Sequence, residues 1–266
     1  MQPRELSHGV GSSHGLVIRI GVLTPHTAIG PEEELPAMAR GRVVTRVVRV
    51  PAVGPEGDPQ ATPTGLRELT AAPLLDNAAT MLAGESVDVV GYASTTSAYV
   101  IGFDEEAAMV SRLSTLLDVP VAATCASAVL ALHELGVERV ALFGAPWFGS
   151  ELNELGAAYF RSQGFDVVSS ASAELSRDPR RIEPAAVYAW TARHVGAEAE
   201  GVFIGGNGFR AARAIEQLEA AIGRPVLTSN QVLLWSLLAQ AGSTVEITGY
   251  GRLFAHRPAR NSTQNA

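Results

Sequence analysis

Val89-Val90-Gly91-Tyr92-Ala93-Ser94-Thr95 and Val202-Phe203-Ile204-Gly205-Gly206-Asn207 are the two stretches on which the fold turns. Each is a short apolar run that empties into small polar or glycine residues just ahead of a helical pattern. Such a run reads as a strand buried on both faces, as in a parallel sheet. In open parallel sheets, ligands bind beyond the carboxyl ends of the strands. The chain therefore offers two half-sites, one from each half of the sequence.

Working outward, the same alternation continues. Residues 17–24 read as a strand ended by Pro25, and residues 43–50 as a second, β-branched strand. The proline- and glycine-bearing stretch 51–64 is a loop. Residues 66–82 carry apolar side chains at helical spacing, with Pro73 as a kink or restart. A helix is predicted over 104–117. Strands follow at 119–123, 140–143, 165–168 and 225–227. Helices are predicted over 127–135, 150–163, 183–194, 210–222 and 231–241, three of them stopped by Gly136, Gly164 and Gly223. The βα rhythm predicts an α/β fold with parallel sheets and helices on both faces. Two similar lobes with a cleft between them follow from the paired half-sites.

Composition narrows the chemistry. Of 266 residues, 47% are hydrophobic and 18% charged, against an average near 25% charged. This is a core-forming composition with a thin charged surface. Lys and Arg total 20 and every one is arginine. A chain without lysine has no Schiff base, no lysine-held pyridoxal phosphate and no phosphate-loop lysine. The net charge of −7 speaks against a nucleic-acid partner, which needs clustered cations. The single cysteine, Cys125, excludes an intrachain disulfide and fits a reducing compartment. No apolar run reaches the roughly 18 residues of a membrane span. Residues 1–16 are polar, without the apolar core of a signal peptide, so the expected location is cytoplasmic. No group of His, Cys, Asp and Glu has zinc-site spacing, so no metal is expected.

Five pieces carry a resemblance: IGVLTPHTAIGPE (20–32), YASTTSAYVIG (92–102), ASAVLALHELGVERVALFG (126–144), VFIGGNGFRAARAIEQLEAAIGRPVLTSNQVLLW (202–235) and GYGRLF (249–254). In this order and spacing they resemble the arylmalonate decarboxylase and maleate isomerase family, within the aspartate/glutamate racemase superfamily. The resemblance implies two Rossmann-like lobes related by a pseudo-twofold, with the active site between them. On this reading residues 17–118 with 229–256 form the first lobe and 119–228 the second, with tails at 1–16 and 257–266. It also implies cofactor-independent chemistry on a small carboxylic acid: decarboxylation, isomerisation or racemisation through an enolate-like intermediate. Family members place two cysteines across the substrate, or one in the decarboxylases. Those thiols would fall at Ser94 and Gly206, and neither is cysteine here. A non-catalytic carboxylate-binding paralogue, or a scaffold recruited for dehydration or rearrangement, stays open. Apolar helix faces permit a homo-oligomer.

The resemblance points to Thr95 and Thr96 as holders of a carboxylate or of its developing charge. Gly206, Asn207 and Gly208 form the matching turn, where glycine lets backbone approach a ligand and Asn207 can donate and accept. Tyr99 and Trp147 are further substrate-binding candidates, Trp147 as a wall of an apolar pocket. His26, after Pro25, suits acid–base work near neutral pH and could replace a lost thiol. Ser94 could donate a proton or attack, but a hydroxyl needs a base beside it; otherwise it caps the next helix. Arg210 could clamp a carboxylate or point to solvent. Cys125, at a helix start, reads as buried filling. The Glu32-Glu33-Glu34 run reads as a solvated first helical turn.

Overall fold

The computed structural model describes residues 17–25, 29–51 and 62–256. His26, the proposed tails and most of the 51–64 loop lie outside them.

The first sheet holds β1 (Ile18–Thr24), β2 (Val43–Arg49), β3 (Val89–Tyr92) and β4 (Val121–Ala123), in the order β2-β1-β3-β4. The second holds β5 (Arg139–Gly144), β6 (Asp166–Ser172), β7 (Gly201–Ile204) and β8 (Val226–Thr228), in the order β6-β5-β7-β8. The second order repeats the first, and every pairing is parallel. This is the two-lobed α/β architecture that the paired half-sites implied. One boundary differs. β4 pairs with β3, Val90 opposite Val121, so this strand belongs to the first sheet and not to a lobe beginning at 119. Hydrogen bonding to β3 decides its membership, and a linear pass along the chain does not show it.

The helices are α1 (Pro31–Met38), α2 (Pro63–Glu68), α3 (Leu74–Ala83), α4 (Thr95–Ile101), α5 (Phe103–Leu117), α6 (Thr124–Glu134), α7 (Ser150–Ser162), α8 (Pro184–His194), α9 (Ile215–Ile222) and α10 (Ser229–Gln240). The 66–82 pattern resolves as two helices that restart after Pro73. The expected 210–222 helix begins only at Ile215. Arg210 adopts a left-handed backbone (φ +53°), and a 3-10 turn at Ala212–Ala214 intervenes.

α10 follows β8 of the second sheet yet packs on α6, β3 and β4 of the first lobe. A Cβ on Gly91 would lie 3.0–3.2 Å from Leu237 and Leu233, so β3 and α10 meet at glycine distance. Ser229 through Leu238 are all buried, which makes α10 a central helix. One apolar core runs through both lobes, from Ile20 and Val22 to Leu142 and Phe203. A second lies under α3 and α5, around Leu23, Val90 and Tyr92. The lobes also join where α4 packs on α7. There Gly156 leaves room for the Tyr99 ring, since a Cβ would sit 2.6 Å from it.

Candidate active site

The carboxyl ends of β3 and β7 meet. Thr95 begins α4, and its Oγ1 accepts the amide of Gly206 at 3.1 Å across the lobe boundary. Ser229 Oγ accepts the same amide at 2.8 Å and lies 2.9 Å from Thr95 Oγ1. The Thr95 hydroxyl also donates to Asn207 Oδ1 at 3.2 Å. Asn207 Nδ2 donates to Thr124 Oγ1 at 3.1 Å and to Asn230 Oδ1 at 2.9 Å. Thr95, Thr124, Asn207, Ser229 and Asn230 are all buried. Gly206 has φ +112°, a conformation that L side chains rarely adopt, and a Cβ would lie 2.9 Å from the Ala145 Cβ. The two half-sites read from the sequence are therefore brought together, and they bond to each other.

The remaining candidates take several positions. Thr96 is buried in the first turn of α4. Gly208 is buried in the turn, and its Cα would lie 3.2 Å from a Cβ on Gly30. Tyr99 reaches toward β7, its hydroxyl 3.1 Å from where a Gly205 Cβ would be. Trp147 is half-buried and meets Phe209 edge-on, with ring centroids 6.2 Å apart. Ser94 is fully buried as the N-cap of α4. Its Oγ donates to Ser97 Oγ at 2.8 Å and accepts the Ser97 amide at 3.3 Å. Tyr92 also faces these two hydroxyls, and burial pushes its phenol further from ionising. None of these neighbours is a base at neutral pH, so the geometry is that of a helix cap. Cys125 is buried against the Thr95 carbonyl at 3.5 Å, and burial with the nearby Glu106 pushes its thiol up. Arg210 is engaged by Glu33 at 2.7 Å and by the Pro179 carbonyl.

Two buried carboxyls whose pKa burial raises lie outside the expected site residues. Glu34 belongs to the run read as solvated, but it is only 7% exposed. Its Oε2 accepts from Asn230 Nδ2 at 2.8 Å and its Oε1 from the Ala212 amide at 2.9 Å. Burial pushes its pKa up to about 7, against these two hydrogen bonds and the charges of Arg210 and Arg213. The acidic run is thus solvated at Glu33 and buried at Glu34. The signal was present: Pro31, Glu34, Leu35 and Met38 form one helical stripe. Glu106 is fully buried, accepts the Tyr159 hydroxyl, and rises to about 7 through burial. The amides of Cys125 and Ala126, opening α6, limit that rise, although Oε1 makes no hydrogen bond of full geometry. Glu106 too shares a helical stripe, with Met109 and Leu113.

Among the described residues, no cluster of His, Cys, Asp and Glu could hold a metal ion, and no helix is long and apolar enough to cross a membrane.

The chain is thus a two-lobed α/β scaffold in which hydroxyls from both lobes converge on the Gly206 amide. Residues 63–254 match the family described as arylmalonate decarboxylase, and the chain belongs to that family. Solved structures agree on the fold. Unliganded arylmalonate decarboxylase aligns at 22% identity over 90% of this chain and 99% of its own, with a TM-score of 0.74. The maleate isomerase Iso from Pseudomonas putida S16, as a cysteine-to-alanine variant with maleate, aligns at 22% over 90% and 97%, TM-score 0.76. The Nocardia farcinica maleate cis-trans isomerase, a cysteine-to-serine mutant with a covalently bound succinylcysteine intermediate, aligns at 23% over 89% and 98%, TM-score 0.75. No curated protein matches the chain by sequence.

Proposed function

We propose that this chain is a cofactor-independent enzyme acting on a small carboxylic or dicarboxylic acid through an enolate-like intermediate. The observation that carries the reading is the contact of Thr95 Oγ1 with the Gly206 amide, which joins the two half-sites in a buried, polar turn. Hydroxyls and amides gathered in a site of low dielectric stabilise charge that develops on a carboxylate-derived oxygen. Thr95, Thr96, the amides of residues 206–208, Tyr99 and Trp147 would hold the substrate. The relatives supply the substrate class, since their names speak of arylmalonate and maleate. By the sequence resemblance the family thiols fall at Ser94 and Gly206, and on that reading the proton travels by another group. Ser94 is engaged as a cap, which leaves His26, next to Pro25 after β1, as the proposed carrier.

A second reading has its own support. Gly206 already has two protein hydroxyls on its amide, as a binding protein or a scaffold turned to other chemistry would also allow. Proton NMR in deuterated buffer separates the two, with malonates, maleate and amino-dicarboxylates offered to the wild type, His26→Ala and Ser94→Ala. The expected result is deuterium entering carbon, or loss of a carboxylate, abolished by His26→Ala and retained by Ser94→Ala. Ligand-induced thermal stabilisation without exchange on any acid would replace the enzyme reading with the binding one.

A further inference from the structure

We propose that Glu34 is a positioning residue for the cleft turn, the terminal acceptor of a one-way hydrogen-bond chain that starts at the Gly206 amide. The proposal rests on the reading of that turn as the substrate site. The chain runs from Gly206 N–H to Thr95 Oγ1, from the Thr95 hydroxyl to Asn207 Oδ1, from Asn207 Nδ2 to Asn230 Oδ1, and from Asn230 Nδ2 to Glu34 Oε2.

Its direction follows from the chemistry of its ends. Asn230 Nδ2 faces the Asn207 backbone carbonyl as well as the Glu34 carboxylate, both at 2.8 Å. A backbone carbonyl and an ionised carboxylate only accept, so the amide nitrogen must stand there. The Asn230 carbonyl must then face Asn207, whose NH₂ turns toward it and whose oxygen turns toward Thr95. The Thr95 hydroxyl then has Asn207 Oδ1 at 3.2 Å and Ser229 Oγ at 2.9 Å as its partners within the protein, with a lone pair for the Gly206 amide. Glu34 also anchors the far end of the same turn through the Ala212 amide. α1 is pressed on the turn's other side, since a Gly30 Cβ would lie 2.1 Å from the Asn207 carbonyl oxygen.

Glu34 is not sealed from outside. It lines a cleft of about 220 Å³ with Met38, Ile182, Arg210, Arg213 and Tyr250. The charged groups facing it are Glu33 on its own helix, Arg210 and Arg213 after the turn, and Arg180 and Glu183 ahead of α8; α10 presents the neutral Asn230. The carboxyl titrates near pH 7. Protonation of Glu34 removes the negative charge from the group that accepts from Asn230 Nδ2 and from the Ala212 amide, so both hydrogen bonds weaken. The Asn207 carbonyl keeps the Asn230 amide facing the same way in either state, so Glu34, more than 170 residues from the turn in sequence, sets how strongly the chain is polarised.

The test is a ¹H–¹⁵N NMR titration of the side-chain amides of Asn207 and Asn230 from pH 5.5 to 8.5. In the wild type both should shift together, with one midpoint near 7. Glu34→Gln should abolish that midpoint, and Glu106→Gln, which removes the other carboxyl of similar pKa, should leave it in place. Arg213→Ala, an exposed change that keeps the wild-type core, should raise it, and this arm decides if Glu34→Gln fails to fold. Amides that do not titrate, or that titrate equally in Glu34→Gln, overturn the proposal. No substrate enters the measurement. A coupled titration in a protein that turns over no acid therefore defeats the proposed function and leaves this inference standing.

Discussion

Tyr159 on α7 donates its phenol hydrogen to the buried carboxylate of Glu106 on α5, and so ties the second lobe to the first. Tyr159 is the one side chain that bonds this carboxylate among the described residues. Removing it strands a buried charge, and hydrogen bonds to charged groups contribute about 1.5–3 kcal/mol. Tyr159→Phe is therefore expected to destabilise the fold by about 2 kcal/mol at pH 8. The loss should be smaller at pH 5, where Glu106 is neutral. Denaturant unfolding at the two pH values checks this.

The same burial has a linkage consequence. Glu34 and Glu106 move from 4.5 to about 7 on folding. Between those values the folded chain holds more protons than the unfolded chain, so stability falls as pH rises through the window. Below 4.5 and above 7 these two groups add no slope. Glu106→Gln should flatten about half of the decline, as read from unfolding free energies at half-unit steps from pH 4 to 8. An unchanged slope would show that Glu106 ionises freely in the folded protein.

Gly30→Ala should be costly for a local reason. The new methyl would meet the Asn207 carbonyl oxygen at 2.1 Å. α1 would have to back away from the turn, at a cost on the order of 3 kcal/mol. Gly84→Ala, with open space around it and φ −82°, should change the Tm by little. Thermal melts of the pair would expose any error in the contact.

Thiols placed at Ser94 and Gly206, where the resemblance sets the family cysteines, should not behave alike. Ser94 has an extended backbone, and Ser94→Cys forfeits chiefly the cap, about 1 kcal/mol. Gly206→Cys places a side chain at φ +112° against Ala145, with strain on the order of 3 kcal/mol. Ser94→Cys should accumulate as folded protein with a second thiol titratable after denaturation. Gly206→Cys should melt well below it.

Thr95→Val keeps the shape and removes the hydroxyl. Gly206 retains Ser229 as acceptor, so the expected loss is about 1–3 kcal/mol. Binding of a carboxylate probe such as maleate should weaken roughly tenfold, since about 1.4 kcal/mol equals a factor of ten. Calorimetric titration with wild-type affinity would remove Thr95 from the site.

Much of this architecture is legible in residue order. β3 and β7 announce themselves as apolar runs ending in small polar residues, and the turn at 206–208 is visible in its glycines. What sequence reading misses is set by partners far along the chain. Glu34 is buried by Asn230, 196 positions on, and by the Ala212 amide, 178 positions on. β4 looks like the opening of a new lobe because a helix precedes it, and only its hydrogen bonds to β3 place it in the first sheet. For Ser94 the sequence leaves reactivity and capping both open, and its acceptance of the Ser97 amide is that of a cap.

Gly206 is never an empty socket. An anion that reaches its amide has to evict Thr95 and Ser229, whose hydroxyls must then find other company. Occupancy thus proceeds by trade, and the net gain is the difference between two similar bonds. Such a site discriminates by how many acceptors a visitor presents at once, because one oxygen barely repays the exchange and two or more do.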